Sequence, residues 1–389
     1  MLPAMATGFF HDERCLWHGG GNYARMAPVG GLVQPLAGGG GLPEDPETKR
    51  RLVNLMRVTG LIDALDQRGA APLSRDDLLR VHPAHYLDAF AAASEAGGGE
   101  LGLRAPFGPG GYDIAALSAG LVAEAVRAVL RGDLANAYAL SRPPGHHCLP
   151  DWPNGFCLLA NIPLAIERAR AEGLVDRVAV LDWDVHHGNG TEAIYLSDPD
   201  VLTVSIHQDR NYPLDTGQVS QRGTGAGLGA NLNVPLPPGA GHATYLEAME
   251  RLALPAIRAH RPDLIVVACG YDAGALDPLG RMLATTQTFE EMTAMTMQAA
   301  DDLCGGRLVL AHEGGYCETC VPFAGHAVIA RLAGSAIAAP DPLAATFAAR
   351  QPDRAFEEFC SARLREMADA MHATGTLDGH PPGANGVSH

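Results

Sequence analysis

Short apolar runs, most of them rich in β-branched residues, alternating with helix-patterned stretches constrain this chain more than any other feature. Residues 137–140, 178–181, 201–206, 264–268 and 308–311 are such runs, and NIPLAIERARAEG and ATYLEAMERLALPAIRAH lie between two pairs of them. A helix between two strands makes a crossover, which joins parallel strands, so the pattern predicts a parallel sheet covered on both faces. Asp45-Pro46 opens a further helix, ETKRRLVNLMRVTGLIDAL, with Leu52, Leu55, Met56, Ile62 and Leu65 as its apolar stripe. No internal repeat divides the 389 residues, which suffice for one large α/β domain or two small ones.

The strand ends carry the chemistry. Arg142-Pro-Pro-Gly-His146-His147 follows the first run and Asp182-Trp-Asp184-Val-His186-His187 the second. Gly270-Tyr-Asp272 ends the fourth and Glu313-Gly-Gly-Tyr316 the fifth. Open parallel sheets bind ligands beyond the carboxyl ends of their strands, so these segments are expected to share one rim.

Residues two apart on an extended segment face the same way, so Asp182, Asp184 and His186 can point together. Two carboxylates and an imidazole suit a divalent metal, with Asp272 arriving from a neighbouring strand end. His146 and His147 are poor core residues because buried imidazoles need polar partners. As proton carriers each needs a group orienting its second nitrogen, and Asp182 and Asn189 are candidates. Gly314 and Gly315 let the chain turn tightly and aim the Tyr316 phenol, a donor for an oxyanion. His82, His85, His207, His242 and His260 read as satisfied core histidines. Cys317-Glu-Thr-Cys320 lacks the second pair of a structural zinc site and reads as two unrelated thiols. The glycines at 225–229 precede the strand-like NLNVPL instead of a helix, which rules out a dinucleotide loop.

The net charge of −16 disfavours nucleic acid and anionic membrane as partners. MLPAMATGFFHDERC lacks a basic region followed by an apolar core, and no apolar run approaches the ~20 residues of a membrane helix. A cytoplasmic protein with eight reduced thiols is expected.

RPPGHHC, GFCLLANI, VLDWDVHHGNGT, VSIHQD, NLNVPLPPG, GYDAGALDPLG and HEGGY, in that order, resemble the successive motifs of histone deacetylases. LWH near the start and PETKRR in the first helix extend the likeness, which runs from residue 7 to about 340. Class II enzymes and bacterial histone-deacetylase-like amidohydrolases are the most similar branches. The resemblance implies an arginase/deacetylase fold, a single domain around an eight-stranded parallel sheet over 1–370, with a loose tail at 371–389. It implies zinc on Asp184, His186 and Asp272, and a structural potassium on Asp182, Asp184 and His186, largely through backbone oxygens, with Ser205 and Ile206. His146, oriented by Asp182, and His147 become the paired histidines, His147 being the main general base. Asn189 resembles class II, where class I enzymes carry Asp. Tyr316 matches the catalytic tyrosine. Gly155, Phe156 and Tyr212 would wall an acyl-lysine tunnel, with Tyr212 standing where relatives usually have Phe. Leu279 takes the place of a glutamate that marks a polyamine-specific branch.

The implied activity is removal of acetyl or related acyl groups from amines, either acetyl-lysine-like or acetylpolyamine substrates, by a homodimer or homotetramer. Two other readings are an arginase-like ureohydrolase, for which a second D-x-D is missing, and a non-catalytic acyl-ligand sensor or scaffold.

Overall fold

The computed structural model describes residues 6–21, 23, 24, 26–28 and 41–372. Its main sheet contains β1 (Thr7–Phe10), β2 (Asp66–Arg68), β3 (Asn136–Ala139), β4 (Val178–Asp182), β5 (Val201–Gln208), β6 (Asn231–Leu236), β7 (Leu264–Cys269) and β8 (Leu308–His312). They lie in the order β6-β5-β4-β7-β8-β3-β1-β2, and every neighbouring pair is parallel. This is the single-domain, eight-stranded architecture that the motif string implies.

The five apolar runs became β3, β4, β5, β7 and β8, and NLNVPL became β6. Strands β1 and β2 were not anticipated. The sequence of β2, DQR, has no β-branched residue and is half-exposed at the sheet edge, where pairing with β1 alone holds it extended.

Alternate residues of each central strand feed opposite cores. Ala179 and Leu181 pack in one apolar cluster with the helices Glu47–Thr59, Thr286–Cys304 and Val321–Leu332. Val178 and Val180 pack in the other with Gly111–Leu130 and Asn161–Ala171. Burial on both faces explains why these strands read as continuous apolar runs.

The chain lays down β3, crosses two positions to form β4, continues outward through β5 and β6, then fills the gap with β7 and β8. The carboxyl ends of β4, β7, β8 and β3 are thus neighbours at a switch in strand order, where such sheets open a crevice.

Three expectations need correction. The first helix ends at Thr59 because Gly60 turns left-handed at φ 80° and its N–H bonds Arg57 O. Leu61–Ala64 then continues as a 3-10 turn, so Ile62 and Leu65 are buried without belonging to the helix. Pro46 takes the capping position of that first helix, and Asp45 Oδ1 accepts from Glu47 N–H at 2.8 Å. The 243–260 pattern is helical but widens to a π turn over Met249–Ala253, just before Pro255, which has no N–H to give. The last helix is Arg354–His372, and 373–389, most of the expected tail, lie outside the described residues. No helix among the described residues is long and apolar enough to cross a membrane.

A Cβ on Gly60 meets nothing within 4 Å, so any cost of Gly60→Ala comes from the backbone alone. We expect a loss of about 1–2 kcal/mol, read from the urea-unfolding midpoint, and a smaller loss for Gly60→Asn.

Candidate active site

The segment after β4 builds the centre of the site. Asp182 ends the strand, and the following residues leave it, so the expected extended run stops there. Side chains still alternate: Trp183 and Val185 enter the core while Asp182, Asp184 and His186 face the rim. Local hydrogen bonds hold this course. Asp182 Oδ1 accepts from Asp184 N–H and Asp184 Oδ1 from His186 N–H, each at 3.0 Å.

Pairing of β4 with β7 brings Asp272 alongside, and its Oδ1 accepts from Val185 N–H at 2.8 Å. The ligating atoms of Asp184, His186 and Asp272 lie within 4.8 Å of one another, and all three residues are buried. His186 Nδ1 stands 3.0 Å from Asp184 Oδ1 and 3.1 Å from Asp272 Oδ2. A single N–H cannot serve both oxygens, and Asp272 Oδ2 is left buried without an aligned hydrogen bond. Burial alone would lower His186, but the two carboxylates outweigh it and hold the imidazole up to about 10. Burial and then Asp184 push Asp272 up to about 6. The pocket therefore demands positive charge between two carboxylates, and an orphaned oxygen aims into it. This donor set fits a divalent cation.

The two histidines after β3 lie beside this cage with ring centroids 4.0 Å apart. His146 Nδ1 bonds Asp182 Oδ2 at 2.9 Å, and His147 Nδ1 bonds Asn189 Oδ1 at 2.8 Å. Each expected orienter is in contact with its histidine. The environments differ in charge. Burial works against a proton on His146, but Asp184 and Asp182 raise its pKa well above the ordinary value. Burial drives His147 well below that value, and His146 and His186 push the same way. Neighbouring imidazoles with pKa values driven apart are suited to distinct proton-transfer roles.

Tyr316 enters from the loop after β8, its N–H fixed by Asp277 Oδ2 at 2.7 Å. Burial, then Asp272 and Asp184, raise the phenol well above its usual pKa, so it stays protonated as a donor. A pocket of ≈ 110 Å³ opens here, lined by His147, Gly155, Phe156, His186, Tyr212, Leu279 and Tyr316. The three expected wall residues, Gly155, Phe156 and Tyr212, are among them, as is Leu279. Phe156 meets Tyr316 edge-on at 5.7 Å, and Tyr212 meets His147 edge-on at 5.2 Å. The Tyr212 hydroxyl donates to Asn154 Oδ1.

Asp182 pairs in register with Ser205 of β5, so two of the residues expected to hold potassium are neighbours, and Ile206 follows directly. His82, His207 and His260 are buried and hydrogen-bonded, as expected of core histidines. His85 is exposed and His242 half-buried, so neither belongs to the core. Cys317 and Cys320 join no cluster of metal-ligating side chains among the described residues.

Sequence reasoning missed several contributors. Glu313 was quoted only as part of its motif, yet its Oε2 accepts from Gly145 and His146 N–H at 2.7 and 3.1 Å and so positions the histidine pair. Asp277 likewise appeared only within GYDAGALDPLG, and Met26, Arg104 and Asn211 gave no signal, because what they do depends on contacts between loops distant in sequence.

A model of the histone deacetylase domain matches residues 42–332. The chain belongs to the histone deacetylase family. It is 56% identical over 362 residues to a histone deacetylase-like amidohydrolase of Pseudomonas aeruginosa, covering 93% of this chain and 95% of that protein. It is 35% identical over 308 residues to a probable deacetylase of Archaeoglobus fulgidus, covering 77% and 85%. The crystal structure of the HDA15 HD domain superposes with a TM-score of 0.79 at 29% identity, covering 96% of this chain and 97% of that one. This histone deacetylase relative is thus an enzyme of the deacetylase/amidohydrolase type, from a family that is typically metal-dependent.

Gly314 closes the back of the cage, its N–H bonding Asp184 Oδ2 at 2.7 Å. A Cβ at 314 would overlap Asp272 Oδ2 and Asp184 Oδ2. Gly314→Ala should weaken divalent-cation binding about tenfold or more, read by titrating the chelator-stripped protein with zinc.

Proposed function

We propose that this enzyme is a zinc-dependent amidohydrolase that removes acetyl or related acyl groups from amines. The observation that carries this reading is a low-pKa imidazole, His147, with an oriented ring, set between a two-carboxylate cage and a neutral phenol.

Zinc held by Asp184, His186 and Asp272 would supply a Lewis acid for the acyl carbonyl and bring a water's pKa towards neutrality. The acceptor Asn189 Oδ1 keeps the His147 proton on Nδ1, which leaves the Nε2 lone pair free to take the proton of the attacking water. The Tyr316 hydroxyl donates to the oxyanion of the tetrahedral intermediate. His147, now protonated, returns its proton to the leaving nitrogen. Charged His146, anchored on Asp182, keeps the surrounding field positive as the oxyanion forms. The products are acetate and a free amine. Gly155 suits this scheme because a side chain there would overlap His147 and narrow the tunnel.

A potassium ion on backbone oxygens of Asp182, Asp184 and His186 with Ser205 and Ile206 would stiffen the cage from behind. Its support is the β4–β5 register. Acetyl-lysine-like and acetylpolyamine substrates both fit the tunnel chemistry, although Leu279 offers a polyamine no carboxylate. The ureohydrolase reading lacks support: among the described residues the second group of metal-ligating side chains, His146, Cys157 and Glu313, carries only one carboxylate.

The test is hydrolysis of acetyl-lysine and trifluoroacetyl-lysine peptides against N-acetylputrescine and N8-acetylspermidine, before and after chelation. Turnover should vanish with chelation and return with zinc, and Tyr316→Phe should cut kcat about a hundred- to a thousandfold with zinc content unchanged. Zinc-loaded protein that turns over none of these substrates would overturn the reading.

A pH profile tests the base. With its pKa depressed, His147 stays unprotonated to lower pH than an ordinary imidazole, so the acid limb of kcat/KM should lie below about 6.5. Asn189→Asp puts a carboxylate on Nδ1, favours the imidazolium, and should move that limb up by about one pH unit or more. An unmoved limb would assign it to another group.

A further inference from the structure

Arg104 is the arginine among the described residues lining the pocket. Its guanidinium lies over the Tyr212 ring, 5.1 Å from the centroid, and that ring meets His147 edge-on. One aromatic side chain therefore separates a fixed positive charge from the imidazole proposed as the base. Arg104 itself is exposed, and no carboxylate among the described residues lies within ion-pairing distance of it.

The backbone aims the side chain at a conformational cost. Arg104 is left-handed at φ 56°, and so is the pocket-lining Phe156 at φ 67°. Non-glycine residues seldom adopt this region, and such strain concentrates where function fixes a side chain. The two strained residues hold each other, since Phe156 N–H donates to Arg104 O at 2.7 Å and Gly155 N–H to Leu103 O at 3.0 Å. A third left-handed non-glycine residue, Arg210 at φ 54°, directly precedes the pocket-lining Asn211.

We propose that Arg104 determines specificity at the mouth, selecting acylated amines that carry a carboxylate a few bonds outside the tunnel and disfavouring acetylated polyamines. The inference rests on the hydrolase reading above. The net charge of −16 would draw cations towards the molecule, but at physiological ionic strength that field fades over ~8 Å. A substrate group at the mouth is governed by the nearest charge, and a guanidinium matches a carboxylate in shape as well as sign. Two sources could supply the carboxylate: an acidic residue beside acetyl-lysine in a peptide, or the free α-carboxylate of Nε-acetyl-lysine.

The test uses the zinc-loaded full chain and capped peptides that differ only in the residue beside acetyl-lysine: Glu, Gln or Lys. Free Nε-acetyl-lysine is compared with its doubly capped form, and N8-acetylspermidine is the cationic control. Wild type should prefer the Glu peptide over the Lys peptide by about tenfold in kcat/KM, mostly through KM, with the gap shrinking as salt rises. Arg104→Lys should keep the order. Arg104→Gly, which suits the left-handed backbone, should flatten it, and Arg104→Glu should reverse it, with circular dichroism reporting the fold. A preference for the free amino acid over its capped form would identify the α-carboxylate as the group read. The same peptides, fluorescently labelled, are titrated into Tyr316→Phe to read binding without turnover. Charge-ordered binding without hydrolysis by wild type would sink the hydrolase reading and keep Arg104 as the selector. Hydrolysis with equal KM values, unmoved by Arg104→Glu, would overturn the role of Arg104 and leave the hydrolase reading standing.

Discussion

Asp182 stands in register with Ala268 of β7 on one side and Ser205 of β5 on the other, and the geometry of the site depends on that pairing. Because side chains alternate with a period of two, a slip of one residue would exchange the faces of the whole segment. Trp183 and Val185 would then face the rim, and the carboxylates would enter an apolar core. The β4–β7 register also sets Asp272 beside Val185 N–H, and the β7–β8 register pairs Cys269 with His312, just ahead of Glu313. Three loops distant in sequence thus converge through backbone ladders, and their side chains need only local bonds to finish the arrangement.

The convergence is electrostatically unfavourable without a counter-charge. Asp184 and Asp272 are fully buried, and buried carboxylates are tolerated only with a cation or a proton between them. In the protein alone that role falls to His186, whose pKa is held high for this reason. The same field sorts the two neighbouring histidines. His146, against Asp182, keeps its proton, and its charge helps to strip His147. An orienting amide at position 189 instead of a carboxylate leaves that effect undiminished. The acid–base chemistry proposed here follows from how charge is distributed among buried groups, more than from any one residue's identity.

Much of this was legible beforehand. The apolar runs identified six of the eight strands, counting NLNVPL, because central parallel strands bury both faces and so leave an apolar trace. The D-x-D-x-H segment, His146-His147 and Tyr316 were legible because polar residues gathered at strand ends have few purely structural explanations. The edge strand β2 was not, since backbone pairing and not side-chain preference holds it in place, and neither was β1, a buried strand of only four residues between β3 and β2. The left-handed break at Gly60 was hidden beneath an apolar stripe that continues in burial after the helix has stopped.

The sequence by itself determined the alternating topology, the identity of the residues at the rim and the kind of metal they suit, because each of these follows from local pattern or residue chemistry. Tertiary structure alone decided which histidine holds a proton, which carboxylate oxygen is left unpartnered, and that Arg104, Asn211 and Asp277 belong to the site. Proton affinity depends on the distances and burial of charges from separate strands, and pocket membership depends on how distant loops pack. Neither quantity exists until the sheet has closed.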